Sequence, residues 1–191
     1  SFPGLDYMVV AANCLGQGSL KVIVITLLIV GAMFLARFPA EALLVLVASL
    51  CRILNSPIKV WLSRPRPTID LVSVTEEAVG FGYPSGHAMG ATLLFGSLVI
   101  VIPAMVKRRW LATLLQALAI LMIILTCFSR VYTGAHWPSD VVGGVLIGLV
   151  ILQPLGWLYH RYRWRIQLHP WFNRPRRGPR ANYRKGMASG S

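Results

Sequence analysis

Hydrophobic residues in this chain come in long blocks rather than in alternation. Apolar stretches cover about 19–36, 39–57, 84–103, 110–128 and 138–159. Each approaches the roughly 20 residues that a helix needs to cross a hydrocarbon core about 30 Å thick. Arg37, Pro39 and Glu41 mark a tight turn between the first two blocks, and Lys107-Arg108-Arg109 a short basic loop between the third and fourth. Residues 2–18 are broken by Gly4, Gly16 and Gly18 and read as an interfacial helix rather than a span. The polar stretch 68–83 reads as a surface connector. The pattern predicts an all-α polytopic membrane helical bundle with five spans in one domain, 1–160. A basic tail, 161–185, follows, and 186–191 reads as a cloning scar outside the fold.

Composition supports this reading. Hydrophobic residues make up 55% of the chain and charged residues 13%, a balance foreign to soluble globular domains. The net charge of +13 would suggest nucleic acid in a soluble protein. Here the charge lies in loops and a tail beside the membrane, where anionic lipid is the simpler partner and nucleic acid is not expected. Five spans put Arg37, Lys107, Arg108, Arg109 and the nine basic residues of the tail on one face, 13 of the 19 lysines and arginines. By the positive-inside rule that face is cytoplasmic. Cys14, Cys51 and Cys127 have no metal-ligand spacing and read as small packing residues.

The opposite face gathers three polar motifs. The first is Lys59, then, after six intervening residues, Arg66-Pro67, two cations able to bind phosphate oxygens or simply to anchor the helix at the interface. The tandem Arg64-Pro65-Arg66-Pro67 places a second arginine, Arg64, two residues before Arg66. The second is Pro84-Ser85-Gly86-His87 at the start of a span. Ser85 suits an N-cap, Gly86 allows a ligand close to backbone N–H groups, and such a terminus attracts anions. The third is Arg130, His136 and Asp140 between the last two spans. Pro138 suits the first position of a helix, which places Asp140 within reach of the His136 imidazole. Two histidines, one carboxylate and several cations suit phosphoryl transfer. One histidine attacks phosphorus, the other protonates the leaving oxygen, and the cations stabilise the equatorial oxygens. The cations supply the positive field, so neither a metal nor another cofactor is expected; a His-His-Asp zinc site would sit awkwardly among the arginines.

The series Lys59-x6-Arg66-Pro67, Pro84-Ser85-Gly86-His87 and Ser129-Arg130-x5-His136-x3-Asp140 resembles the three-part signature of the type 2 phosphatidic acid phosphatase family, which includes membrane lipid phosphatases and soluble vanadium haloperoxidases. The resemblance implies that His136 is the nucleophile, that Asp140 orients it, and that His87 is the general acid. It implies further that Lys59, Arg66, Arg130, Ser85 and Gly86 hold the phosphate; the family spacing selects Arg66, which leaves Arg64 auxiliary or structural. Bacterial members usually have six spans, with the first motif after the third. Here two precede it, so either a first helix precedes Ser1 in the native protein or this is a five-span form.

The expected function is therefore a metal-independent lipid phosphatase of a bacterial inner membrane, acting at the outer leaflet through a phosphohistidine. Undecaprenyl diphosphate is the favoured substrate, with phosphatidylglycerophosphate and phosphatidic acid as alternatives. The tails are expected to enter near the third and fifth spans. An anion-binding transporter is the non-enzymatic alternative, but it gives no reason for two histidines.

Overall fold

The computed structural model describes residues 19–68 and 80–167. The interfacial helix expected over 2–18, most of the connector and the tail beyond 167 lie outside the described residues. Six α-helices are described: α1 (Ser19–Leu35), α2 (Pro39–Leu50), α3 (Asn55–Leu62), α4 (Gly86–Met105), α5 (Arg109–Tyr132) and α6 (Pro138–Gln167). A 3₁₀ turn, Cys51–Leu54, joins α2 to α3. The second span is therefore one helical rod from Pro39 to Leu62, five residues longer at its far end than the apolar block suggests. This rod, α4, α5 and α6 are each long and apolar enough to cross a membrane, and α1 is a shorter apolar helix. Large apolar side chains such as Leu28, Leu35, Ile53, Trp61, Trp110, Val150 and Trp157 are exposed on the outside. Helices that are apolar on their outer faces as well as their inner ones are built for lipid rather than water.

The chain reverses at the α1–α2 turn through Arg37, which adopts a left-handed φ of 66°. Phe38 N–H donates to Met33 O at 2.9 Å and Arg37 N–H to Phe34 O at 3.0 Å. This is the paired bonding of a Schellman motif, with arginine where glycine is usual. At the same end Tyr159 of α6 donates its hydroxyl to buried Glu41 of α2 at 2.9 Å, and Arg163 donates to that hydroxyl at 3.3 Å. These bonds tie the two helices together where Met33, Leu44, Val45, Val101 and Tyr159 form one core. With 30 residues, α6 is about 45 Å long at 1.5 Å per residue. It outruns the hydrocarbon core and carries Arg161, Arg163 and Arg165 past it.

Helix α4 is central, packed against α2, α5 and α6. It meets α6 at close range through glycines four residues apart. A Cβ on Gly144 would lie 2.6 Å from Ser85 O, and one on Gly148 would lie 2.8 Å from Thr92 Cγ2. Small residues at this spacing let membrane helices approach backbone to backbone. The contact locks the first turn of α4 against the first turns of α6, where two of the three motifs sit. Further along the same helices, Gly96, Ile100, Ile120, Leu149 and Trp157 line an open, mostly apolar cleft between the third, fourth and fifth spans.

Candidate active site

The three motifs meet at one end of the bundle. Lys59 comes from the last turn of α3 and Arg130, 1% exposed, from the last turn of α5. Ser85, Gly86 and His87 open α4, and His136 and Asp140 flank the start of α6. Helix α5 runs on to Tyr132, so Arg130 is presented by a helix rather than a loop. Ser63 ends α3 in the left-handed conformation, φ 46°, with its N–H donating to Lys59 O at 2.9 Å. That stop turns Arg64 and Arg66 back over the bundle end.

His136 lies between two charged partners. Arg66 Nη1 is 3.2 Å from His136 Nε2. Since a guanidinium only donates, Nε2 must carry the lone pair. Nδ1 then carries the proton and faces Asp140 Oδ2 at 3.6 Å. His136 Nδ1 is buried with no hydrogen-bond partner, and a catalytic hydrogen bond of this kind commonly shortens when substrate arrives. His136 is 4% exposed. Burial first, and then the charges of Arg66, Lys59, His87 and Arg130, push its pKa down to about 3. The imidazole is thus held neutral, in the tautomer that offers Nε2 as a nucleophile.

Asp140 is 0% exposed. Standing third in α6, it turns Oδ2 back to accept the Trp137 N–H at 3.0 Å, the reciprocal half of a capping box. Its Oδ1 accepts from Arg64 Nη1 at 3.0 Å, and the same guanidinium nitrogen donates to Ser139 Oγ at 2.8 Å. Arg64 therefore belongs to the site as the ion-pair partner of Asp140; the spacing argument had set it aside.

Lys59 and Arg66 are anchored on the chain that crosses the bundle end. Lys59 Nζ donates to Phe81 O at 2.9 Å, Arg66 Nε to Gly80 O at 3.0 Å and Arg66 Nη1 to Ala135 O at 2.7 Å. Gly82 passes so close that a Cβ there would lie 2.9 Å from Asp140 Oδ2. Ser85 caps α4, its Oγ accepting the Ala88 N–H at 3.4 Å, and its own N–H donates to Asp140 O at 2.9 Å. With the Ala88 N–H capped by Ser85, the Gly86 and His87 N–H groups at the start of α4 have no intrahelical acceptor, and a helix end of this kind attracts anions. Among the described residues no group of three or more His, Cys, Asp or Glu gathers to hold a metal ion.

Sequence reasoning missed Asn55. This buried amide donates to Pro84 O at 3.3 Å, and a Cβ on Gly86 would lie 2.9 Å from its Oδ1. It fixes the Pro84-Ser85-Gly86 entry to α4. An amide inside an apolar span, four residues before Lys59, was the available signal.

The PAP2 superfamily profile matches residues 40–166, a range that holds every residue of this cluster. A phosphatidylglycerophosphatase B of Bacillus subtilis is 30% identical over 153 residues, covering 78% of this chain and 72% of the relative. An undecaprenyl-diphosphatase of Sulfolobus acidocaldarius is 33% identical over 88 residues, covering 46% of this chain and 33% of the relative. The crystal structure of a transmembrane PAP2-type phosphatidylglycerolphosphate phosphatase from Bacillus subtilis aligns with a TM-score of 0.68 at 27% identity, over 87% of this chain and 80% of that one. The chain belongs to the PAP2 superfamily, as the three motifs led us to expect. It is a multi-pass membrane protein of that superfamily, and a phosphatase of the lipid-phosphate type.

Proposed function

We propose that this protein hydrolyses a lipid phosphate monoester or diphosphate at the non-cytoplasmic face of the membrane, through a phosphohistidine on His136. The observation that carries this reading is the chain Arg66–His136–Asp140, in which a buried neutral imidazole offers Nε2 beside a phosphate-binding cation. In the first step Nε2 attacks phosphorus and the bond to the leaving oxygen breaks. His87 gives that oxygen its proton. Asp140 stabilises the positive charge left on the imidazole, as in a Ser-His-Asp triad. In the second step water attacks the N–P bond, His87 takes the water's proton, and inorganic phosphate leaves. Lys59, Arg66, Arg130, Ser85 and the Gly86 N–H hold the equatorial oxygens, where charge is greatest in transit.

Orientation rests on the described basic residues Arg37, Lys107, Arg108, Arg109, Arg161, Arg163 and Arg165, which lie at the end away from the site. Among substrates, the similarity to phosphatidylglycerophosphatase B over most of its length favours phosphatidylglycerophosphate as the first to test. Undecaprenyl diphosphate, preferred from the sequence, is the second. The test is phosphate release in detergent from these two lipids and phosphatidic acid, with and without EDTA, beside His136→Ala. EDTA-resistant release that vanishes in the variant is expected, and its order ranks the substrates. Folded protein that releases phosphate from none of them contradicts the reading.

A further inference from the structure

The reaction above leaves one membrane-embedded cation without a task. Arg52 sits in the 3₁₀ turn of the second span and is half-buried. No hydrogen bond or ion pair engages its guanidinium among the described residues, although an ionisable group at membrane depth ordinarily finds a partner or serves a function. In a 3₁₀ turn residues three apart eclipse, so Arg52 and Asn55 share the face of the rod turned to α4. That helix answers with two glycines on one face: Gly86 opposite Asn55, and Gly90 opposite Arg52, where a Cβ would lie 3.2 Å from Arg52 Cδ and 3.3 Å from Nε. A snorkelling arginine would run outward along lipid. This one lies across α4 and, with His87 and Gly90, lines a cleft whose other walls, Thr126 apart, are apolar, among them Val22 and Ile25 of α1 and Met122 of α5. Gly90 is one helical turn, about 6 Å, further into the membrane than Gly86. From the reaction centre inward, the order is therefore His87, then Arg52, then apolar surface.

We propose that Arg52 binds a second phosphate of the substrate, one lying between the scissile group and the tails, and so makes the enzyme selective for lipids that carry two phosphates in series. This inference deepens the lipid-phosphatase reading and rests on it. A guanidinium fork pairs bidentately with phosphate oxygens, and the apolar walls beyond it receive the first carbons of the tail. A diphosphate ester and a phosphodiester capped by a phosphomonoester both offer this chemistry; phosphatidic acid and a prenyl monophosphate do not.

The full chain in detergent, as wild type, Arg52→Gln and Arg52→Lys, is assayed on farnesyl diphosphate against farnesyl monophosphate, and on phosphatidylglycerophosphate against phosphatidic acid. One charge-assisted contact corresponds to about 10- to 100-fold in affinity. Arg52→Gln is expected to raise KM by that factor for at least one two-phosphate lipid, leaving both monophosphates and p-nitrophenyl phosphate unchanged. Arg52→Lys is expected to recover part of the loss. The pair affected separates the diphosphate source from the phosphodiester source. Melting temperature is expected to hold or rise in Arg52→Gln, since an unpaired charge leaves the membrane. Equal losses on every substrate, a lowered melting temperature with them, or no change on either two-phosphate lipid overturns the proposal. Protection of the wild type from thermal unfolding by farnesyl methylenediphosphonate over farnesyl phosphonate reads the same contact without turnover. A difference that vanishes in Arg52→Gln upholds the role of Arg52 even if no lipid is hydrolysed, whereas equal protection by the two overturns it even if hydrolysis is vigorous.

Discussion

Arg64 Nη1 lies 3.0 Å from Oδ1 of Asp140, a carboxylate with no exposure to solvent, although the arginine side chain itself is 41% exposed. The pair links the loop after α3 to the first turn of α6. It also fixes which oxygen of Asp140 is left to face His136. Arg64→Ala is expected to lower kcat on the order of tenfold, the usual cost of losing a partner that orients a reacting group, with KM little changed. Arg64→Lys should recover part of it, since lysine keeps the charge but not the fork. Steady-state kinetics on one lipid substrate check this; a rise in KM at unchanged kcat would instead put Arg64 on the phosphate.

The depressed pKa of His136 has a direction that can be tested. Between about pH 3 and pH 6.5 the unfolded chain holds a proton at this imidazole that the folded chain does not. This contribution to stability is therefore complete above pH 6.5 and is lost as the pH falls toward 3. In the folded, substrate-free enzyme the His136 resonance, assigned by its absence in His136→Gln, should not titrate between pH 4.5 and 8. A midpoint near 6.5 would mean that neither burial nor the surrounding cations act on it.

Helix packing can be tested without reference to chemistry. Gly144→Val places side-chain atoms where a Cβ alone already comes within 2.6 Å of Ser85 O. Overpacking of this kind costs about 1–3 kcal/mol, and thermal unfolding in detergent should register it. Activity should fall as well, because the same displacement moves the first turn of α4 away from His136. Unchanged stability would mean that α4 and α6 do not meet at this glycine.

Asn55→Leu keeps the size of the side chain and removes its bond to Pro84 O. The expected stability loss is on the order of 1 kcal/mol, with a several-fold rise in KM because the Ser85–Gly86 turn loses its brace. Wild-type KM in a folded variant would make Asn55 a packing residue only.

Much of this was legible in the chain because membrane segments are written in length and apolarity, and the reacting groups in rare polar residues beside them. The membrane-helix bundle and the family followed from those two signals. What escaped depended on three-dimensional registration. Arg64 and Arg66 are chemically alike and two residues apart, and only the left-handed stop at Ser63 decides which one meets Asp140 and which one His136. Asn55 and Arg52 looked incidental within an apolar block until a 3₁₀ turn brought them to one face. The close approach of the third and fifth spans at Gly144 and Gly148 likewise depended on which faces the two helices turn to each other.

The central claim is a covalent phosphohistidine at His136, and trapping it is the most direct test. In His87→Ala, p-nitrophenyl phosphate needs little acid help to leave, whereas hydrolysis of the intermediate has lost its base. Rapid quench of this variant at high pH should therefore yield an alkali-stable, acid-labile phosphoenzyme, with mass spectrometry locating the phosphate on His136 and none in the His136→Ala, His87→Ala double variant. Phosphate found on another residue, or turnover retained by His136→Ala alone, would contradict the account.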